Sequence, residues 1–167
     1  MKRFFALVLA ILTLAAVLCA CGESEPKVIQ TTVASKYDDG YAAKYASSAS
    51  TDSNGNKVYE FDDEQYEQYA LNHKNTVSVA IQKELAANHE ERFGEYAYIN
   101  VEKQAVIIGI HEGEYDEKSA KPESATVAEY GFKYFQNLET PINAIKVMYV
   151  DAGDQDKIYG SFDYSLD

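Results

Sequence analysis

Residues 63–88 constrain what this chain can fold into more than any other stretch. Within them Tyr66, Tyr69/Ala70, His73, Val77, Ala80/Ile81 and Leu85 recur at three- and four-residue steps, the spacing of one face of an amphipathic helix. Asp62, with Gln65 three residues later, reads as a capping-box start. The β-branched pair Thr76-Val77 weakens the middle of the helix without breaking the stripe. A stripe of that kind is stable only when packed against another element, so the flanking residues decide the fold class.

Those flanks alternate as strands do. Val58-Tyr59-Glu60-Phe61 precedes the helix, and 96–101 and 105–111 follow it as a hairpin around Glu102-Lys103-Gln104. In the second of these, Val106, Ile108 and Ile110 face the core and Ile107 the opposite side. Residues 113–121 read as a charged loop, and Pro122 suits the first turn of a second helix over 122–138. That helix has the stripe Val127, Tyr130/Gly131, Tyr134/Phe135 and Leu138, and Thr140-Pro141 ends it. Ile145, Val147 and Tyr149 alternate in a strand ending near Asp151. Residues 152–156 are turn chemistry, and 158–164 form a last strand. The order β-α-β-β-α-β-β over 57–167 predicts an α+β two-layer sandwich: an antiparallel sheet of about five strands with both helices on one face. A domain of that length buries a core without disulfides.

The segment 21–56 is poor in branched aliphatics and rich in Ser, Ala, Asp and Gly, and its composition predicts a flexible tether. Tyr37, Tyr41 and Tyr45 recur every four residues there. Two readings of them stand: a transient helical turn or merely scattered tyrosines, and a sticky aromatic patch for a cell-wall or protein partner.

Residues 1–20 have the form of an export leader. Lys2 and Arg3 precede an almost unbroken apolar run from Phe4 to Leu18, shorter than the ~20 residues a membrane-crossing helix needs. Cys19 and Cys21 are the chain's two cysteines, too few for a zinc site and wrongly spaced for a CxxC redox pair. Leu18-Cys19-Ala20-Cys21 resembles the bacterial lipobox: Leu, a small residue, Ala or Gly, then Cys. The resemblance implies cleavage between Ala20 and Cys21 and diacylglyceryl modification of Cys21. The product would be lipid-anchored to the cell membrane and face outward, since two acyl chains hold stably where one holds marginally. The chain carries a net charge of −12. Loss of the leader removes two positive charges and no acid, leaving −14, which disfavours nucleic acid and other polyanions as partners.

The folded part, roughly 57–167, resembles small Tyr- and Asp-rich lipoproteins of clostridial Gram-positive bacteria. The likeness rests on the Val58–Phe61 strand, the acidic-capped helix, the hairpin, the second helix and the final hairpin from Ile145 to Ser165. That family carries no assigned activity, so the resemblance bears on fold and address.

Catalytic chemistry is sparse. His89-Glu90-Glu91-Arg92-Phe93 starts like HExxH but lacks the second histidine. His73 on the helical stripe reads as a partly buried, satisfied histidine. His111, beside Glu112 and Glu114, reads as a surface strand end, with a pH-sensitive role as the other reading. Asp151-x-Gly153-Asp154-x-Asp156 departs from calcium-loop spacing and reads as an Asx-stabilised hairpin turn, weak calcium binding being its alternative. No P-loop, GxGxxG or GxSxG is present. The expectation is therefore no catalytic, cofactor or metal residue, and no enzyme. The expected role is an extracytoplasmic module that binds a protein or cell-wall partner or supports an envelope assembly. The alternative is an inhibitor of an envelope enzyme acting through an exposed 113–121 loop.

Overall fold

The computed structural model describes residues 27–88 and 96–166. The leader, Cys21 and the HExxH-like stretch at His89 lie outside them. Among the described residues no helix is long and apolar enough to cross a membrane.

The described residues form an α+β fold with two α-helices and two sheets. Strands β1 (Ile29–Val33), β2 (Ser48–Thr51) and β3 (Lys57–Phe61) form an antiparallel sheet in the order β1-β3-β2. Helix α1 (Asp63–Asn88) follows, then β4 (Tyr96–Asn100) and β5 (Ala105–Ile110). Helix α2 (Glu117–Phe135), β6 (Ala144–Asp151) and β7 (Ile158–Ser165) complete a second sheet ordered β4-β5-β6-β7. From β3 onward the element order is the expected β-α-β-β-α-β-β, with both helices packed on one face of the second sheet.

The capping box at the head of α1 forms as the sequence predicts. Gln65 N–H donates to Asp62 Oδ1 at 2.8 Å, and Asp62 N–H donates to Gln65 Oε1 at 3.0 Å. Helix α2 begins earlier than expected. Asp116 is its N-cap, accepting from Ser119 N–H at 3.1 Å, so Pro122 lies inside the helix and 117–121 are helical rather than loop.

Two further differences concern the strands. They divide between two sheets instead of one, and β5 and β6 run parallel. A chain that leaves β5, crosses a face as α2 and returns as the adjacent strand must re-enter in the same direction. β5 is accordingly central and buried along its whole length.

The larger correction concerns 21–56. Residues 29–51 are not tether but part of the fold. β1 hydrogen-bonds to β3 along five residue pairs, and its alternation buries Ile29, Thr31 and Val33. β2, wholly exposed, is held as a strand by pairing with β3 on the other side.

Two cores result. The larger packs Val77, Ile81 and Leu85 of α1 and Val127, Phe132 and Phe135 of α2 on the inner row of the sheet, including Ile99, Val106, Ile108, Val147 and Tyr149. The smaller joins Val33, Ala42, Tyr59 and Phe61 to Tyr69 of α1, with Tyr37, Tyr41, Tyr45 and Tyr66 around them. The four-residue tyrosine spacing thus marks a core contact, made across a single 3-10 turn (Ala42–Lys44).

Candidate functional site

The smaller core brings together the first of the sequence-predicted histidines and a carboxylate. His73 is fully buried. Its ring packs against both Tyr41 and Tyr69, at centroid distances of 5.1 and 5.5 Å, and those two rings also touch each other at 6.4 Å. Nε2 lies 3.2 Å from Asp39 Oδ2, while Nδ1 is buried without a hydrogen-bond partner. An acceptor at Nδ1 and an N–H at Nε2 is the tautomer this geometry favours, because a second buried N–H would have nothing to donate to.

Asp39 also accepts from Tyr41 N–H at 2.9 Å and lies 3.9 Å from Lys133 Nζ. Burial works to raise its pKa, but the bonds from His73 and Tyr41 and the nearby Lys133 outweigh it. The carboxyl is held below the ordinary aspartate value. Asn137 closes the same junction: its Nδ2 donates to Tyr37 O at 3.0 Å and Lys133 O at 2.7 Å, and its backbone carbonyl accepts from Tyr69 OH at 3.0 Å. Asp39 and Asn137 were not found by sequence reasoning. Asp39 sat in a stretch whose composition read as solvated, and Asn137 carries no local signal of the role it plays.

A second polar cluster lies at the carboxyl ends of the parallel strands β5 and β6, the end where open α/β sheets bind their ligands. Tyr159 OH donates to Asp151 Oδ2, and Lys157 Nζ lies 3.6 Å from the same atom and 3.0 Å from Glu112 Oε1. Tyr115 stacks on Tyr159 and fills the space above Gly160. Bonds to Tyr159 and Gly153 N–H hold Asp151 below its ordinary pKa. Glu112 and Tyr159 push Lys157 above its own. Both groups are thereby moved away from neutrality, whereas a general acid or base works best near the operating pH. The cluster is an ion-paired lock on the last hairpin.

Asp151 is the Asx residue of the 151–156 turn: its Oδ1 accepts from Gly153 N–H at 2.9 Å and Asp154 N–H at 3.0 Å. The turn is thus stabilised as the Asx reading describes. No group of three or more potential metal ligands occurs among the described residues. His111 falls just past β5 with an exposed ring, and its backbone N–H donates to Glu114 Oε2 at 3.3 Å. Several other carboxylates have local structural tasks: Asp62 and Asp116 cap helices, Glu112 pairs Lys157, and Glu114 closes the turn after β5.

Three clefts in the described surface have volumes typical of small-molecule sites, one of them, of about 440 Å³, lying along α1 beside Asn75, Thr76 and Lys83. Another of about 450 Å³ lies between α1 and α2 and is lined by Glu84, Leu85, Pro122 and Glu123 among others. The third, of about 440 Å³, is lined by Lys36, Tyr37, Phe132, Lys133 and Leu166 among others. None of the three is lined by His73, Asp39 or His111.

The outer face of the second sheet is arranged in rows: Tyr96–Gly109–Val150, Tyr98–Ile107–Met148–Ser161 and Asn100–Ala105–Lys146–Asp163. Tyr96 and Tyr98 are half-buried and pack on Ala105, Ile107, Met148 and Val150, and no helix side chain among the described residues joins that cluster. No protein-family model, curated protein or solved structure matches the chain.

Proposed function

We propose that this chain is an exported lipoprotein, cut between Ala20 and Cys21 and held on the outer side of the cell membrane by a lipidated Cys21. Its folded unit acts there as a non-catalytic module that binds a protein or cell-wall partner or supports an envelope assembly. The observation that carries the reading is Leu18-Cys19-Ala20-Cys21 at the end of a basic-then-apolar leader. The geometry adds a distance. β1 starts at Ile29, so only residues 22–28 separate the anchor from the fold. Seven residues reach at most about 25 Å when fully extended. The module therefore works close to the bilayer, and its charge of −14 keeps it off anionic headgroups.

The His73–Asp39 pair, in which His73 is buried and Asp39 reaches solvent, and the ion-paired Asp151–Lys157 lock support a non-catalytic role, since neither lines a cleft described above. The inhibitor reading needs an inserting loop at 113–121. Residues 117–121 are helix and Tyr115 is turned inward, so the binding reading is preferred. Cell fractionation tests the address: Cys21→Ser should move the protein out of the membrane fraction. Crosslinking on intact cells tests the module, with a recurrent crosslinked species expected for the wild type and lost with Cys21→Ser. Membrane retention by Cys21→Ser, or a chain that stays uncrosslinked, contradicts the corresponding half.

A further inference from the structure

The two edges of the β4-β5-β6-β7 sheet are treated differently. The β4 edge is closed by α1: Gln82 Nε2 donates to Ala97 O at 2.8 Å, and Ile99 N–H donates to Ser78 Oγ at 3.2 Å. These side chains occupy the backbone groups a further strand would need. The β7 edge has no such cover among the described residues.

Its open groups can be named. Leu166 N–H donates to Asn143 O at 2.8 Å, which makes that pair hydrogen-bonded in the antiparallel β6–β7 register. By alternation the backbone groups of Tyr164, Phe162 and Gly160 also point at β6. Those of Ser161, Asp163 and Ser165 point away from it. β7 is eight residues long with no proline, and the irregularity of its ladder is confined to the Tyr149/Val150 end. Natural edges are shortened, bulged, covered or charged to prevent such pairing. Here one exposed carboxylate, Asp163, paired across the ladder with Lys146 at 3.4 Å, is the main safeguard.

We infer that the β7 edge is a docking edge for an extended polypeptide segment in which apolar and basic residues alternate, added to the sheet as a fifth strand. The side chains fix the alternation. On the helix side of β7, Phe162 and Tyr164 are only partly buried and offer an apolar shelf. On the other side Ser161, Asp163 and Ser165 are exposed and polar, with one acid. The charge of −14 that remains once Lys2 and Arg3 leave with the leader favours a cationic segment. It also argues against a second copy of this chain. The two-fold self-pairing that uses all three outward residues would set Asp163 opposite Asp163, and like charges directly opposed destabilise a sheet. This inference deepens the binding-module reading and rests on it for the existence of a partner. It is tested on purified protein from whichever cell fraction holds it, so it fails separately from the crosslinking experiment.

The probe is a synthetic heptapeptide alternating lysine and valine. The controls are the same residues in blocks and an alternating peptide N-methylated at every second amide. Binding is followed by fluorescence anisotropy and by amide hydrogen exchange. The alternating peptide should bind at least tenfold more tightly than either control and slow exchange at Ser161, Asp163 and Ser165. Ser161→Pro removes one outward N–H without touching the β6 ladder, and should cut affinity tenfold or more while far-ultraviolet circular dichroism stays unchanged. If Ser161→Pro does not fold, Asp163→Lys decides, with a severalfold loss expected at low salt. Equal binding of all three peptides, or wild-type affinity in the variant that decides, overturns the inference. So does concentration-dependent self-association, measured by sedimentation, that Ser161→Pro abolishes, because the occupant is then a second copy.

Discussion

Replacing Asp39 with alanine removes the carboxylate that ties residues 34–47 to helix α1, and the cost follows from what is left behind. His73 is fully buried with Nδ1 already unpartnered. Without Asp39 its Nε2 N–H also loses its partner, and Tyr41 N–H loses an acceptor at 2.9 Å. A buried donor left unsatisfied costs about 1–3 kcal/mol, and a hydrogen bond to a charged group contributes about 1.5–3 kcal/mol. Asp39→Ala should therefore destabilise by about 2–3 kcal/mol. His73→Phe keeps a ring packed against Tyr41 and Tyr69 and removes both nitrogens. In that background Asp39→Ala should cost less than about 1 kcal/mol, because replacing both partners of a buried pair is much cheaper than removing one. The assay is urea unfolding of the four proteins of the double-mutant cycle, with midpoints compared at constant slope. A single-mutant effect under about 0.5 kcal/mol together with strict additivity would refute the reasoning. Residues 34–47 would then not be docked on α1.

The same contacts set the pH range of stability. Asp39 titrates below its ordinary value in the fold. Its contribution is thus present above the unfolded aspartate pKa of about 3.9 and is lost as pH falls through the lower folded value. Asp39→Ala should flatten the acid limb of urea-midpoint profiles. Burial pushes Tyr59 and Tyr134 up to about 12. Their contribution is present below the unfolded tyrosine pKa of about 10 and is lost as pH rises toward 12. Alkaline unfolding in that window should coincide with the rise of tyrosinate absorbance, and Tyr59→Phe should make it shallower. A Cβ on Gly131 would overlap Ile145 Cδ1 and sit 3.1 Å from Val106 Cγ2. Gly131→Ala should destabilise by about 1–3 kcal/mol, and Ile145→Val, which removes Cδ1, should restore part of the loss in thermal melts. Asp62→Ala removes the N-cap of α1 and should cost about 1 kcal/mol, measured in the same melts.

Much of the second half was legible because its signals are local. The stripe from Tyr66 to Leu85 and the Asp62–Gln65 box predict a helix over 63–88, and α1 spans Asp63–Asn88. Val106, Ile108 and Ile110 face the helices and Ile107 the other side, as alternation requires. The first half was less legible because its order comes from partners distant in sequence. Ser48–Thr51 has no apolar residue beyond Ala49 and becomes a strand through pairing with β3. Tyr41 and Tyr45 look like loop tyrosines until Tyr69 and His73 are set against them. At α2 the proline drew the helix start to 122, while the Asp116–Ser119 cap set it five residues earlier, at Glu117. The expected site residue, Cys21, lies outside the described residues, so its signal remains the lipobox alone.

That signal is what the account depends on, and the intact mass of the protein extracted from membranes after expression of the full chain tests it most directly. The account predicts a species that begins at Cys21 and carries a diacylglyceryl group. A soluble product with an unmodified Cys21, or a membrane-bound chain that still carries residues 1–20, would contradict it.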